Sequence, residues 1–203
     1  MRVGVDTSPL IQTRAGTARH VRGLLGALRD RPDLELELLS FGGAGRLSSV
    51  VRDALWYPVR LPRRARRLDV LHCTTFRGPP RPRVPTVLTV HDLAILRYPD
   101  AFPLWHRLYG KTGLQRVLTA ADAVIAVSEF TKGEVAALAR VPLERVRVVP
   151  NGVDAIFTPD GSAAEGEYVL AVATLESLPG PPKERSSSSR SSLSRSAPSK
   201  PRT

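Results

Sequence analysis

Apolar and polar positions change their period repeatedly along this chain. From Met1 to Asp6, Val3 and Val5 alternate with other residues, the period-two pattern of a strand. After the loop SPLIQTRAGTAR, Val21, Leu24, Leu25 and Leu28 recur at i, i+3, i+4 and i+7, which lines one helix face. Leu34, Leu36 and Leu38 then alternate with Glu35 and Glu37, predicting a strand with one wet face. Residues 42–67 mix a glycine-rich turn, a helical stretch and a basic run. Further strands are predicted at Val70–Phe76, Val87–Val90, Ala123–Val127 and Val146–Val149. A helix is predicted over Phe102–Ala120 with Leu104, Trp105, Leu108 and Tyr109 as its apolar face, and another over Glu129–Arg140 with Val135 and Leu138 facing inward. Strands alternating with helices predict an α/β fold, its mostly parallel sheet covered by helices on both faces. Right-handed crossovers gather the loops after the strands on one edge, where ligands bind.

Two breaks in composition divide the chain. Residues 1–157 read as one domain, and the turn-rich PNGVDAIFTPDGSAAEGE reads as a linker. Residues 158–176 then hold the rest of that linker and one fresh apolar strand, Tyr168–Thr174. From Ser177 the chain turns to ten serines and five prolines, with Leu178 and Leu193 as its only large apolar residues. Such a stretch buries too little to offset its ordering entropy, so residues 177–203 are expected to be disordered.

Charge and cysteine usage narrow the classes. The formal net charge is +11, of which the stretch from Ser177 carries +5, from six basic residues and one acidic. A lone cysteine, Cys73, allows no internal disulfide and no cysteine-based metal site, which suits a cytoplasmic protein. No apolar run approaches the ~20 residues of a membrane span, and the strand at the N-terminus predicts no secretory signal. Arg60, Arg63, Arg64, Arg66 and Arg67 form a basic run that either covers a solvated helix face or meets an anionic membrane.

Dinucleotide, P-loop, zinc-hydrolase and nucleophile-elbow motifs are all missing. Gly110-Lys111-Thr112 ends like a P-loop, but Trp105 stands where its first glycine belongs. The candidate residues fall at strand ends instead. Gly16, followed by Thr17, lies where backbone N–H groups at a helix start can approach an anion. His91 ends the strand TVLTVHD on the ligand edge and can donate to a sugar hydroxyl or polarise a bond, and Asp92 either fixes its tautomer or caps the next helix. Ser128 caps the helix that begins SEFTKGEV, with Thr131 and Glu134 as a competing capping box. Lys132 is within reach of a phosphate or carboxylate, and Asn151-Gly152 is a turn signal after the last strand.

In series, AGTARHVRGLL, DVLHCTTF, PTVLTVHDLAILRYPDAF, ADAVIAVSEFTKGEV, RVRVVPNGVDAIFTP and YVLAVATLE resemble glycosyltransferase family 4 over nearly all of residues 1–176. The resemblance implies the Rossmann-like N-terminal half of a GT-B fold. It implies a retaining transferase that moves a sugar from a nucleotide sugar to a sugar or lipid-linked acceptor, with no essential metal and no resident cofactor. It assigns Gly16 and Thr17 to the donor-phosphate loop, where Ala15 replaces a glycine common in the family. It assigns His91 to catalysis, Asp92, Ser128 and Lys132 to the acceptor cleft, and Asn151 and Gly152 to an interdomain hinge. The family's Arg-Lys continuation, which holds the donor diphosphate, has no counterpart after Glu176, where Ser-Leu-Pro-Gly follows. The tail therefore reads as a frameshifted or artificially terminated end, and little activity is expected of the chain alone. Two other readings stay open. One is a non-catalytic binding fragment; the other is RNA binding through the Arg/Ser tail, which nucleic acid's usual stacking aromatics do not accompany.

Overall fold

The computed structural model describes residues 1–13, 16–43, 45–153 and 158. The chain divides into two units, Met1–Glu165 and Gly166–Thr203, and every described residue belongs to the first. Ala15, the strand expected at Tyr168–Thr174, the tail from Ser177 and the expected domain limits at residues 157 and 176 lie outside the described residues.

Six parallel strands form one sheet: β1 (Arg2–Asp6), β2 (Glu35–Leu39), β3 (Val70–Cys73), β4 (Thr86–Val90), β5 (Ala123–Ala126) and β6 (Val146–Val148). Their spatial order is β2-β1-β3-β4-β5-β6. The order reverses between β1 and β3, and all carboxyl ends share one edge, so this junction is the place where an open α/β sheet accepts ligands. The α/β, Rossmann-like class predicted above is the class observed.

Helix α1 (Pro9–Gln12) is a single turn, and α2 (Gly16–Arg29) carries the chain from β1 to β2. Val21 and Leu25 of α2 close over Val3 and Val5 on one sheet face. On the other face, a methyl group at Gly4 would run into the side chains of Leu68 and Leu39, so glycine is what allows this close approach. Residues 46–67 form a nearly continuous helical path: α3 (Arg46–Val51), a π-helical stretch Arg52–Arg60, α4 (Leu61–Arg64) and a short 3₁₀ turn. Pro58 lies inside the π stretch, whose wider turn accommodates a residue with no N–H to donate. After β4 come α5 (Ala94–Arg97), α6 (Leu104–Tyr109), a π turn Gly110–Leu114, α7 (Gln115–Ala120) and α8 (Glu129–Ala139). The Gly110-Lys111-Thr112 triplet is thus helix interior, with the Thr112 hydroxyl donating to the Leu108 carbonyl at 2.8 Å.

Four residues expected on apolar faces are exposed instead. Leu104 and Leu108 are 79% and 51% exposed, while Leu114, Val117 and Leu118 are buried. The π turn adds a residue to the helical period and so rotates the apolar face past the first turn of the predicted helix. Leu138 is 40% exposed, because α8 packs through Thr131, Glu134, Val135 and the small Ala139, which brings the helix axis close to the sheet. Leu38 is also exposed, whereas Leu39 is buried. β2 is the sheet edge, and only Leu34 and Leu36 of its apolar series reach the α2 cluster.

Candidate functional site

The carboxyl edge of the sheet is stitched together by hydrogen bonds that run from strand to strand. The Thr74 hydroxyl after β3 donates to the Asp6 carbonyl of β1 at 2.7 Å. The His91 ring after β4 contacts the Thr74 carbonyl through Nε2 at 3.2 Å. The Thr131 hydroxyl of α8 donates to the His91 carbonyl at 3.4 Å, and the Ser128 hydroxyl lies 3.0 Å from that of Thr131. Asp6, Thr74, His91 and Ser128 therefore form one line along the edge.

A carbonyl only accepts, so the tautomer that bonds Thr74 carries its hydrogen on Nε2 and keeps Nδ1 as an acceptor. One of the two ring nitrogens, Nε2, is thus in contact with the Thr74 carbonyl.

Gly16, Thr17, Arg19, His20, His91, Asn151, Gly152 and Val153 line an open cleft of about 820 Å³. The start of α2 forms one wall, and its first turn contains no acidic residue. Unpaired N–H groups at a helix start favour an anion there. Asp92 and Gln12 line a smaller pocket of about 210 Å³ beside the cleft, together with Tyr57, Thr75 and Arg77. Thr17 and His91 line both hollows and form the partition between them.

Not all expected residues meet. Ser128 lines neither hollow: it is the N-cap of α8 and accepts from the Thr131 backbone N–H at 3.1 Å, so its hydroxyl is used within the helix start. The capping box expected of Thr131 and Glu134 is not the one formed. Lys132, half-buried one turn into α8, lines neither hollow. Asp92 caps α5 by accepting from the Ala94 N–H at 2.9 Å, the second of its two expected roles.

Two groups escaped the sequence reading. His20 packs its ring edge-to-face on His91, with centroids 4.8 Å apart. Burial lowers its pKa first, and the neighbouring His91 adds to this, while a hydrogen bond with Asn151 opposes both. Its signal was spacing, since His20 stands one helical turn after Gly16. The second group is a buried ion cluster. Asp53 Oδ1 accepts from Arg52 Nε at 3.1 Å and from Arg77 Nε at 3.0 Å, and Arg52 also donates to Gln12 Oε1 at 2.6 Å. Arg77 comes from a loop 24 residues away, so no local pattern announces the pairing. Below both lies Asp6, fully buried, its carboxylate accepting from the Tyr57 hydroxyl at 2.9 Å and from Ser8. Burial raises its pKa, against the pull of these hydrogen bonds and of Arg52.

Among the described residues no three His, Cys, Asp or Glu side chains gather as a metal site, and no helix is long and apolar enough to cross a membrane.

The sequence model of Glycosyltransferase Family 4 matches residues 14–157, a stretch containing every candidate residue above. Among solved structures, Anabaena Alr3699/HepE in complex with UDP-glucose is 16% identical, with a TM-score of 0.48 over 76% of this chain and 44% of that one. The same Anabaena protein in complex with UDP and glucose is 15% identical, with a TM-score of 0.43 over 75% of this chain and 45% of that one. The chain thus spans less than half the length of either. No curated protein matches it.

Proposed function

Because the chain belongs to glycosyltransferase family 4, we propose that it forms the acceptor-side face of a retaining transferase that moves a sugar from a nucleotide sugar to a sugar or lipid-linked acceptor. The observation that carries this reading is the single cleft lined by Gly16, Thr17, His91, Asn151 and Gly152. Glycosyl transfer needs negative charge stabilised on the departing diphosphate and an acceptor hydroxyl held in line with the anomeric carbon. The start of α2 serves the first need with oriented N–H groups at Gly16 and Thr17. His91 serves the second, by accepting a hydrogen from a sugar hydroxyl through Nδ1. The nucleotide sugar is a co-substrate, and the chemistry assigned here uses no metal or resident cofactor. Asn151 and Gly152 act as the hinge through which a donor-binding domain approaches. The exposed arginines of the 60–67 segment hold the protein at the cytoplasmic face of an anionic membrane, where lipid-linked acceptors lie.

The test supplies the chain with a family donor-binding domain and measures transfer from a panel of nucleotide sugars, reading the product's anomeric configuration by proton NMR. Transfer with retention is expected, falling about 10²–10³-fold in His91→Gln, the scale of losing one oriented polar group at a reacting centre. Alone, the chain is expected to turn over very little. An inverted product refutes retention, and undiminished transfer in His91→Gln removes His91 from the site.

A further inference from the structure

The pocket of about 210 Å³ beside the cleft has a chemical polarity that suggests what it takes. At liquid-water density its volume equals about seven water molecules, which is room for one sugar ring and not for a chain of them. Its lining carries a cation, Arg77, that does not reach the cleft, and the pair His91 and Asp92, of which His91 lines both hollows. Arg77 is held from three sides. Its Nε donates to Asp53, and its guanidinium lies over the rings of Phe76 and Tyr109 at 5.2 and 5.3 Å from their centroids. A guanidinium fixed in this way loses little freedom on meeting a ligand, and its terminal amino groups form a fork suited to a carboxylate or phosphate.

The charge balance supports an anion at Arg77. Arg52 and Arg77 share the single carboxylate of Asp53, and all three side chains are mostly buried. The trio sums to one positive charge in a poorly solvated place, where a charge acts strongly; the buried Asp6 nearby, its pKa raised by burial, feels Arg52. Asp92 is exposed and already caps α5. It is acceptor-only, as is the Nδ1 of a neutral His91 that donates through Nε2, so this pair suits a hydroxyl. His91 and Thr17 are shared with the large cleft, so the hydroxyl-accepting residues border the cleft as well.

We infer that this pocket binds the acceptor as an acidic sugar, a sugar carboxylate or a sugar phosphate, with its acid group on Arg77 and its reacting hydroxyl at His91 and Asp92. The inference rests on the transferase reading of the cleft and names the substrate class of that same site. Arg77 is then the residue that sets acceptor specificity.

The test is binding to the full chain without nucleotide, followed by calorimetry or saturation-transfer NMR, using glucose, glucuronate, glucose 6-phosphate and inorganic phosphate. At least one of the two acidic sugars is expected to bind ten-fold or more tightly than glucose, and their ranking separates carboxylate from phosphate. Arg77→Gln is expected to abolish the preference. Arg77→Lys keeps the charge beside Asp53, guards against a merely unfolded variant, and is expected to lose about ten-fold of the affinity with the fork. Arg116→Gln, away from this pocket, is expected to behave as the parent. Equal binding of glucose and both acidic sugars, or no binding of any sugar, overturns the inference, as does a preference that survives Arg77→Gln. Inorganic phosphate binding as tightly as glucose 6-phosphate also overturns it, because the pocket would then read an ion and no sugar. Retaining transfer to neutral acceptors alone would leave the transferase reading standing and remove this one.

Discussion

The rings of His20 and His91 meet at 83°, edge to face, and so join the first turns of α2 to the end of β4. The His91 ring therefore bears on the protonation of His20. His20 is half-buried, and its burial is the larger influence, lowering its pKa below the ordinary 6.5, with His91 adding to the shift and Asn151 opposing it. Proton NMR titration should therefore find His20 protonating below 6.5. In His91→Gln its midpoint should rise toward the ordinary value, and in Asn151→Ala it should fall further. A midpoint indifferent to both substitutions would mean that the two contacts do not persist in solution.

His72 gives the fold an acid limit. Its pKa is lowered to about 4, first by burial and then by the field of His20, and its Nε2 sits 2.9 Å from the Thr89 hydroxyl. The unfolded chain takes up this proton near pH 6.5, whereas the folded chain resists until about pH 4. His72 thus leaves stability untouched above pH 6.5 and withdraws it as the pH falls between those values. The loss between pH 7 and pH 5 is about 2 kcal/mol. Urea denaturation at the two pH values checks it, and His72→Gln should flatten the difference while costing some stability at pH 7.

How far the architecture was legible depends on how local its causes are. The strands were readable because their apolar period is local, and the order of βα units then leaves few topologies. Leu104 and Leu108 misled because a π turn six residues further on sets which face is buried. At the cleft, Gly16, His91 and Asn151 were readable from strand-end position and family resemblance. The Nε2 proton of His91 was not, because it depends on a carbonyl 17 residues earlier. The place of Arg77 beside Arg52 and Asp53 was invisible for the same reason, since its partner Asp53 lies 24 residues earlier.

Asp53 is the keystone of that buried trio. Its side chain is 1% exposed and holds Arg52 and Arg77, while Oδ2 accepts from Trp105 Nε1 at 3.3 Å. Asp53→Asn preserves shape and leaves an acceptor for Trp105, but takes away the carboxylate charge that both guanidinium groups are bonded to. Removing one partner from a buried ion pair costs about 3–5 kcal/mol. A fall of that size in unfolding free energy is expected, and the Arg77 pocket should lose its order with it. A change below about 1 kcal/mol would show that water reaches the cluster.

Arg140 ends α8 in the left-handed region, at φ 55°. That conformation costs a residue with a Cβ about 1–2 kcal/mol, and glycine is the residue helix ends usually place there. Arg140 is exposed, so little packing is lost on removing it. Arg140→Gly should therefore raise stability by up to about 1 kcal/mol, the gain being reduced by glycine's freedom in the unfolded chain. Thermal and urea unfolding at pH 7 both report it.

The last expectation concerns a surface away from the cleft. Arg63, Arg64, Arg66 and Arg67 are all exposed at the end of the 46–67 helical path. Arg63 also lines a hollow of about 420 Å³ with Arg81 and Arg83, brought there by the loop between β3 and β4. Arginines from two separate segments thus reinforce one another at one place, with no acidic residue among the lining. Each basic side chain near an anionic lipid surface contributes about 1 kcal/mol, falling off within a Debye length. Co-sedimentation with vesicles containing phosphatidylglycerol should be strong at low salt, weaken as salt rises, and be absent with phosphatidylcholine alone. Replacing Arg63, Arg64, Arg66 and Arg67 by Glu should reduce binding more than ten-fold while leaving the anion preference of the Arg77 pocket unchanged. Binding that survives the four substitutions would assign these arginines to ordinary solvation of a helix surface.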